Sequence, residues 1–193
     1  MKLLSALRIL CGAILAVQFC NNLAVAQVPD TRVALFARYH CPLTDLLRQV
    51  YEAPSPFQKL DRYLALTAPL IHKNYIQCMF AENRTKLYCE ASSGYYDEAM
   101  GKPRRVFPSE ETKAAFAKLG FKTGNDEKNF PFERDFKGVP DFGEIAGLML
   151  DAMHDCFGAR AGTRLTVHAP FARKVEADCG VKPEGRRQGA VWD

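Results

Sequence analysis

Cys78 and Cys89 stand in the stretch NYIQCMFAENRTKLYCE, residues 74–90, each inside a run of strand-forming residues flanking a polar turn. Two cysteines placed this way can form a disulfide, clip a metal, work as a redox pair or pack as small apolar side chains. A structural zinc site needs several ligands with close spacings such as C-x2-C. A thiol-redox centre needs C-x-x-C at a helix start, where the helix field lowers the thiol pKa. Neither spacing occurs, so no metal ligand and no redox motif is assigned. A disulfide and a pair of buried thiols stay open as alternatives, and neither is catalytic.

The other reactive side chains are scattered. His40 beside Cys41 is a lone adjacent pair, and His72, His154 and His168 fall in different elements. His154 and Cys156 are two positions apart, which on a helix turns them about 200° from each other, so they cannot act as base and nucleophile. A cysteine hydrolase would need Cys41 or a histidine with distant partners. The acidic pairs Asp97-Glu98 and Glu110-Glu111 lie in loops or at a helix start, where solvation or the helix dipole accounts for them. No nucleotide, nucleophile-elbow or other cofactor-binding motif is present. These residues describe a non-enzymatic chain; a small Cys or His hydrolase, or an envelope stress protein acting through a free thiol, is the alternative.

The compartment follows from the N-terminus. A basic start with Lys2 and Arg8, an apolar run from Ile9 to Phe19 and the tripeptide Ala24-Val25-Ala26 predict a secretory signal peptide over residues 1–26. The apolar run is shorter than the roughly 20 residues that span a bilayer. Removing the leader from 193 residues leaves about 167, enough for one domain over 27–180. It also lowers the formal charge from +4 to about +2, which gives no general drive toward nucleic acid. Cys11 and Cys20 go with it. Cys41, Cys78, Cys89, Cys156 and Cys179 remain, and in a periplasmic or extracellular space they are disulfide candidates by default. Five is odd and the pairing is open, with Cys78, Cys89, Cys156 and Cys179 the leading candidates.

The elements that position these residues are readable from periodicity. Leu43 to Tyr51 is expected as a short helix with Pro42 in its first turn, and Phe57 to Leu66 as a second. Ile76, Cys78 and Phe80 alternate with polar neighbours, as do Leu87, Cys89 and Ala91, so both runs are strands. A turn centred on Asn83-Arg84 sets Phe80 against Leu87, Cys78 against Cys89 and Ile76 against Ala91; a one-residue slip would oppose apolar to polar side chains. Ser109 caps a helix through Leu119 that Gly120 ends. Phe130 to Phe136 forms a strand whose Pro131 marks a sheet edge. Asp141 and Glu144 open a helix with the stripe Ile145, Leu148, Met149, Ala152 and Cys156, ended by Gly158. A last strand runs from Arg164 to His168, and residues 181–193 form a polar tail. The fold class is α+β, an antiparallel sheet with a β-hairpin packed against two to four helices.

The connection Ser92 to Pro108 exceeds the roughly 12–15 residues at which structureless loops become uncommon and functional. It carries Tyr95, Tyr96, Arg104 and Arg105, residue types enriched at protein interfaces, and these are the binding-loop candidates.

From Tyr75 onward, YIQCMF, KLYCEASSGYY, SEETKAAFAKLGF, NFPFERDF and FGEIAGLMLDAMHDCFGA run as hairpin, helix, strand and long helix. This order resembles the YbjN and TY-Chap group, small α+β proteins similar in fold to type III secretion chaperones. The resemblance covers residues 74–167 and rests on the Leu119-Gly120-Phe121 turn and the Asn129-Phe130 strand start. It implies a chaperone-like module that binds a protein or peptide, without catalytic residues or cofactor, and a homodimer.

Overall fold

The computed structural model describes residues 31–53, 62–68, 74–94, 108–124, 128–172, 174–175 and 177–180. Among them a helix α1 (Arg32–Glu52) precedes strands β1 (Tyr63–Thr67), β2 (Tyr75–Ala81) and β3 (Lys86–Ser92). Helix α2 (Glu110–Lys118), strand β4 (Asn129–Asp135), helix α3 (Phe142–Asp151) with a π-helical turn (Ala152–Cys156), and strand β5 (Thr166–His168) follow. The strands form one antiparallel sheet in the order β4-β3-β2-β1-β5. The chain meanders from β1 to β4, and α3 then carries it back under the sheet to lay β5 beside β1. The class is α+β, with three described helices on the sheet.

The hairpin takes the expected register. Cys78 pairs with Cys89, Phe80 with Leu87 and Ile76 with Ala91. Asn83 and Arg84 turn the chain with φ of 56° and 71°, in the left-handed region that lets two strands reverse tightly. Phe80 donates its N–H to the Arg62 carbonyl at 3.1 Å, so the even-numbered residues of β2 hydrogen-bond toward β1. Cys78 and Cys89 are therefore a non-hydrogen-bonded pair, the kind in which opposed side chains lie closer. Their sulfurs are joined, with Cα atoms 4.0 Å apart.

Pro131 shows why β4 takes the edge. Phe136 donates to the Thr85 carbonyl at 2.9 Å, so alternate residues Phe130, Phe132 and Arg134 face β3. Pro131 points the other way, where its missing N–H costs the ladder nothing and its carbonyl accepts from Lys122 N at 2.8 Å.

Two helix expectations are corrected. Helix α1 starts at Arg32 rather than near Leu43, and Pro42 lies in its interior. A proline there removes a backbone donor and costs about 3 kcal/mol. Leu35 and Tyr39 outweigh it: they extend the stripe of Leu43, Leu46, Leu47 and Val50 by two turns, and all six are fully buried. Fully burying such side chains contributes about 1.5–3 kcal/mol each. The second helix, Phe57 to Leu66, is not formed at its C-terminal end; residues 63–67 are strand β1. There Leu64 pairs with Cys78 and Leu66 with Ile76, and the cross-strand partners override local periodicity. Residues 57–61 lie outside the described residues, as do 1–26 and 181–193.

The remaining helix ends form as expected. Thr112 N–H donates to Ser109 Oγ at 3.2 Å, opening α2. At the other end Phe121 N bonds the Phe116 carbonyl and Gly120 N the Ala117 carbonyl, both at 3.0 Å, with Gly120 at φ 91°. This paired closure brings Phe121 against Phe116, their ring centroids 5.3 Å apart. Asp141 caps α3 by accepting from Glu144 N at 3.0 Å, while the Glu144 carboxylate takes Arg134 instead of closing a capping box.

Candidate functional site

The three described helices send their buried side chains to one face of the sheet, where Leu64, Leu66, Ile76, Cys78, Leu87, Cys89, Ala91, Phe130 and Phe132 are buried. Two places remain where polar or half-exposed groups converge: one flank of α1, and the opposite face of the sheet.

On α1, Cys41, Asp45 and Gln49 recur every four residues and so form one stripe. Each holds the C-terminal segment. Cys41 is bonded to Cys179. Asp45 accepts from Ala177 N at 3.4 Å, and Gln49 Nε2 donates to the Lys174 carbonyl at 2.8 Å. The segment thus runs antiparallel to the helix as a strap. Asp45 is only 4% exposed and is satisfied locally as well, by Arg48 Nη2 at 2.5 Å and Gln49 Nε2 at 2.9 Å. A carboxylate so engaged is an anchor rather than a general base. His40, Cys41, Thr44, Asp45, Arg48 and Ala177 line a shallow groove of about 490 Å3 beside the strap. Thr44 Oγ1 donates to the His40 carbonyl at 2.8 Å. His40 Nε2 lies 2.9 Å from the Gly143 carbonyl, which can only accept, so that nitrogen carries the proton.

The five described cysteines resolve into two bridges and one thiol. Cys156, a candidate for bridging, is instead unpaired and buried. Its place explains this: it ends the π-helical turn next to Phe157, whose ring packs on Phe116 at 5.2 Å, away from both bridges. Burial, with the charges of Asp155 and Asp151, pushes its thiol from 9.0 up to about 12. At pH 8 iodoacetamide should leave Cys156 unlabelled in the folded protein and modify it fully in denaturant; labelling at the rate of a free thiol would place it at the surface. The folded thiol keeps its proton to higher pH than the unfolded one. Its contribution to stability is therefore intact below pH 9.0 and lost as pH rises toward about 12.

His154 and His168 are engaged by other partners. His154 Nδ1 meets Asp155 Oδ1 at 2.6 Å, and His168 Nδ1 meets the Tyr63 hydroxyl at 2.9 Å. No group of three metal-ligating side chains occurs among the described residues. No described helix is long and apolar enough to cross a membrane. His72 and the binding-loop candidates Tyr95, Tyr96, Arg104 and Arg105 lie outside the described residues.

The second place is the sheet face turned away from the helices. Pairing puts Tyr63, Met79 and Tyr88 in one row across β1, β2 and β3, continued by Glu133 on β4. The next row holds Ala65, Gln77 and Glu90, and the one after it Thr67, Tyr75 and Ser92. Tyr63, Met79, Tyr88, Gln77 and Tyr75 are half-buried. Tyr75 donates to Glu90 at 3.3 Å and accepts from Asn129 Nδ2 at 2.8 Å, which fixes its ring. Lys86 and Glu133 pair at 3.7 Å beside Tyr88.

Neither Asp45 and Gln49 nor this aromatic row was identified from the sequence. The signal for the first was the four-residue recurrence Cys41, Asp45, Gln49. For the second it was Met79 and Tyr88 alternating with the apolar residues of the hairpin, while Tyr63 falls in the stretch expected as a helix. Comparison with family models, curated proteins and solved structures found no match to this chain.

Proposed function

We propose that the protein is an exported, non-enzymatic module that binds a protein or peptide partner, acting in the periplasm or outside the cell in a chaperone-like manner, as its resemblance to the YbjN and TY-Chap group implies. The observation that carries this is the cross-strand row of half-buried Tyr63, Met79 and Tyr88 on the face opposite the described helices. Tyrosine and methionine are enriched where polypeptides meet, because they offer broad contact area together with a polar handle or an adaptable shape. Lys86, Glu90 and Glu133 supply the polar rim such a surface needs. Two disulfides, Cys41–Cys179 and Cys78–Cys89, accord with an oxidising compartment. The bridging of Cys41 and the burial of Cys156 weigh against the cysteine form of the hydrolase alternative. The same burial weighs against a stress protein that cross-links through Cys156.

The test is capture from envelope extract by the immobilised mature protein, comparing Tyr63→Ser/Tyr88→Ser with Tyr96→Ala/Arg104→Ala. Truncating an anchor residue typically costs about 2 kcal/mol or more, so the sheet-face variant should retain partner at least about thirty-fold less well while melting at nearly the same temperature. Loss in the Tyr96/Arg104 variant alone would move the site to the loop. A wild-type protein that retains no polypeptide beyond a denatured control would reject the reading.

A further inference from the structure

The two disulfides differ in what surrounds them. Cys78 and Cys89 are fully buried between sheet and helices. Cys41 and Cys179 are half-buried at the surface, one on α1 and the other on the strap. Among the described residues, Gln49 also donates to the Lys174 carbonyl and Asp45 accepts from Ala177 N, with Val175 packed on the core edge. Exchange requires a thiolate to reach a sulfur in line with the bond, so accessibility decides which bridge reacts.

We propose that Cys41–Cys179 is a thiol–disulfide exchange site, and that its reduction by a dithiol releases the C-terminal strap from α1 while Cys78–Cys89 stays closed. One thiolate of the dithiol attacks one sulfur of the bridge, forming a mixed disulfide and expelling the other sulfur as a thiolate. The dithiol's second thiol then attacks its own mixed-disulfide sulfur and expels the second cysteine. The protein gains two electrons and two protons, and the dithiol leaves oxidised as a cyclic disulfide. With the covalent tie gone, the strap rests on polar contacts of a surface segment, such as those at Gln49 and Asp45, of the kind that local opening breaks. Opening uncovers Asp45 and Gln49, so the groove lengthens along α1 into a polar surface that the closed strap occupies.

Lys174 supplies the readout, because the carbonyl that Gln49 holds is the one a lysine-specific endoprotease must attack. The oxidised mature protein is treated with graded dithiothreitol, quenched with N-ethylmaleimide and mapped by mass, and parallel samples are digested briefly. Cys41 and Cys179 should become alkylated at about ten-fold lower reductant than Cys78 and Cys89, and cleavage after Lys174 should accelerate about ten-fold, with the near-ultraviolet dichroism of the core retained. The Cys41→Ser/Cys179→Ser variant should be cleaved at the fast rate without reductant. Simultaneous opening of both bridges, unchanged cleavage after Lys174, or loss of the core dichroism together with the first bridge would each overturn the proposal.

Discussion

Replacing both members of the Cys41–Cys179 bridge with alanine is expected to lower the free energy of unfolding by about 5 kcal/mol, a larger loss than the loop entropy of Cys78–Cys89, about 3 kcal/mol. The difference comes from the unfolded chain. The first bridge closes a loop over a sequence separation of 138, the second over 11, and loop-closure entropy grows with the logarithm of that length. The native side contributes little to the first difference, since the strap is half-exposed and the sheet packs without it. Urea unfolding of the oxidised wild type and the double variant, under the same buffer, measures the gap. A loss below about 1 kcal/mol would mean that the denatured chain already holds these ends together or that the bridge does not form in solution.

Phe116→Ala is expected to cost about 3–5 kcal/mol, the range for removing a large buried ring whose site cannot collapse. Phe116 is fully buried, and its ring meets Phe121 at 5.3 Å, Phe130 at 5.3 Å and Phe157 at 5.2 Å. Three rings from a helix end, an edge strand and the π-helical turn therefore face one cavity. The substitution also removes the contact that seals the C-terminus of α2. Because Phe157 follows Cys156 directly, loosening it should open the thiol: alkylation of Cys156 should become measurable in the folded variant while the wild type stays protected. A denaturant midpoint shifted by less than about 1 kcal/mol would show that neighbouring rings refill the space. A large shift with Cys156 still protected would show that the π-helical turn is held independently of the ring cluster.

Much of the fold was written locally. The hairpin register follows from two alternating runs and a turn, since only one alignment buries Ile76, Cys78 and Phe80 against Leu87, Cys89 and Ala91. The Ser109 and Asp141 caps and the Gly120 closure were likewise legible, because capping chemistry acts within four residues. Pro131 marked the edge strand for a reason visible in one residue: it has no N–H to give. Residues 63–66, expected at the end of a helix, became strand because β2 and β5 lie on either side of them, and no neighbour in sequence announces those partners. Pro42 misled in the same way: a proline commonly opens a helix, but here the stripe from Leu35 to Val50 buries enough apolar surface to carry the helix through it.

What the sequence by itself determined is the set of groups: an odd number of cysteines after the predicted leader, alternating strands and capped helices. Only the tertiary structure decided which cysteine stays a thiol, that Cys41 meets Cys179, and that Asp45 and Gln49 hold the strap rather than face water. Periodicity records which side of an element is apolar and says nothing of what lies across a gap of 138 positions. That partner is chosen where the chain is brought together by packing, and the same packing leaves Tyr63, Met79 and Tyr88 side by side on the face opposite the described helices.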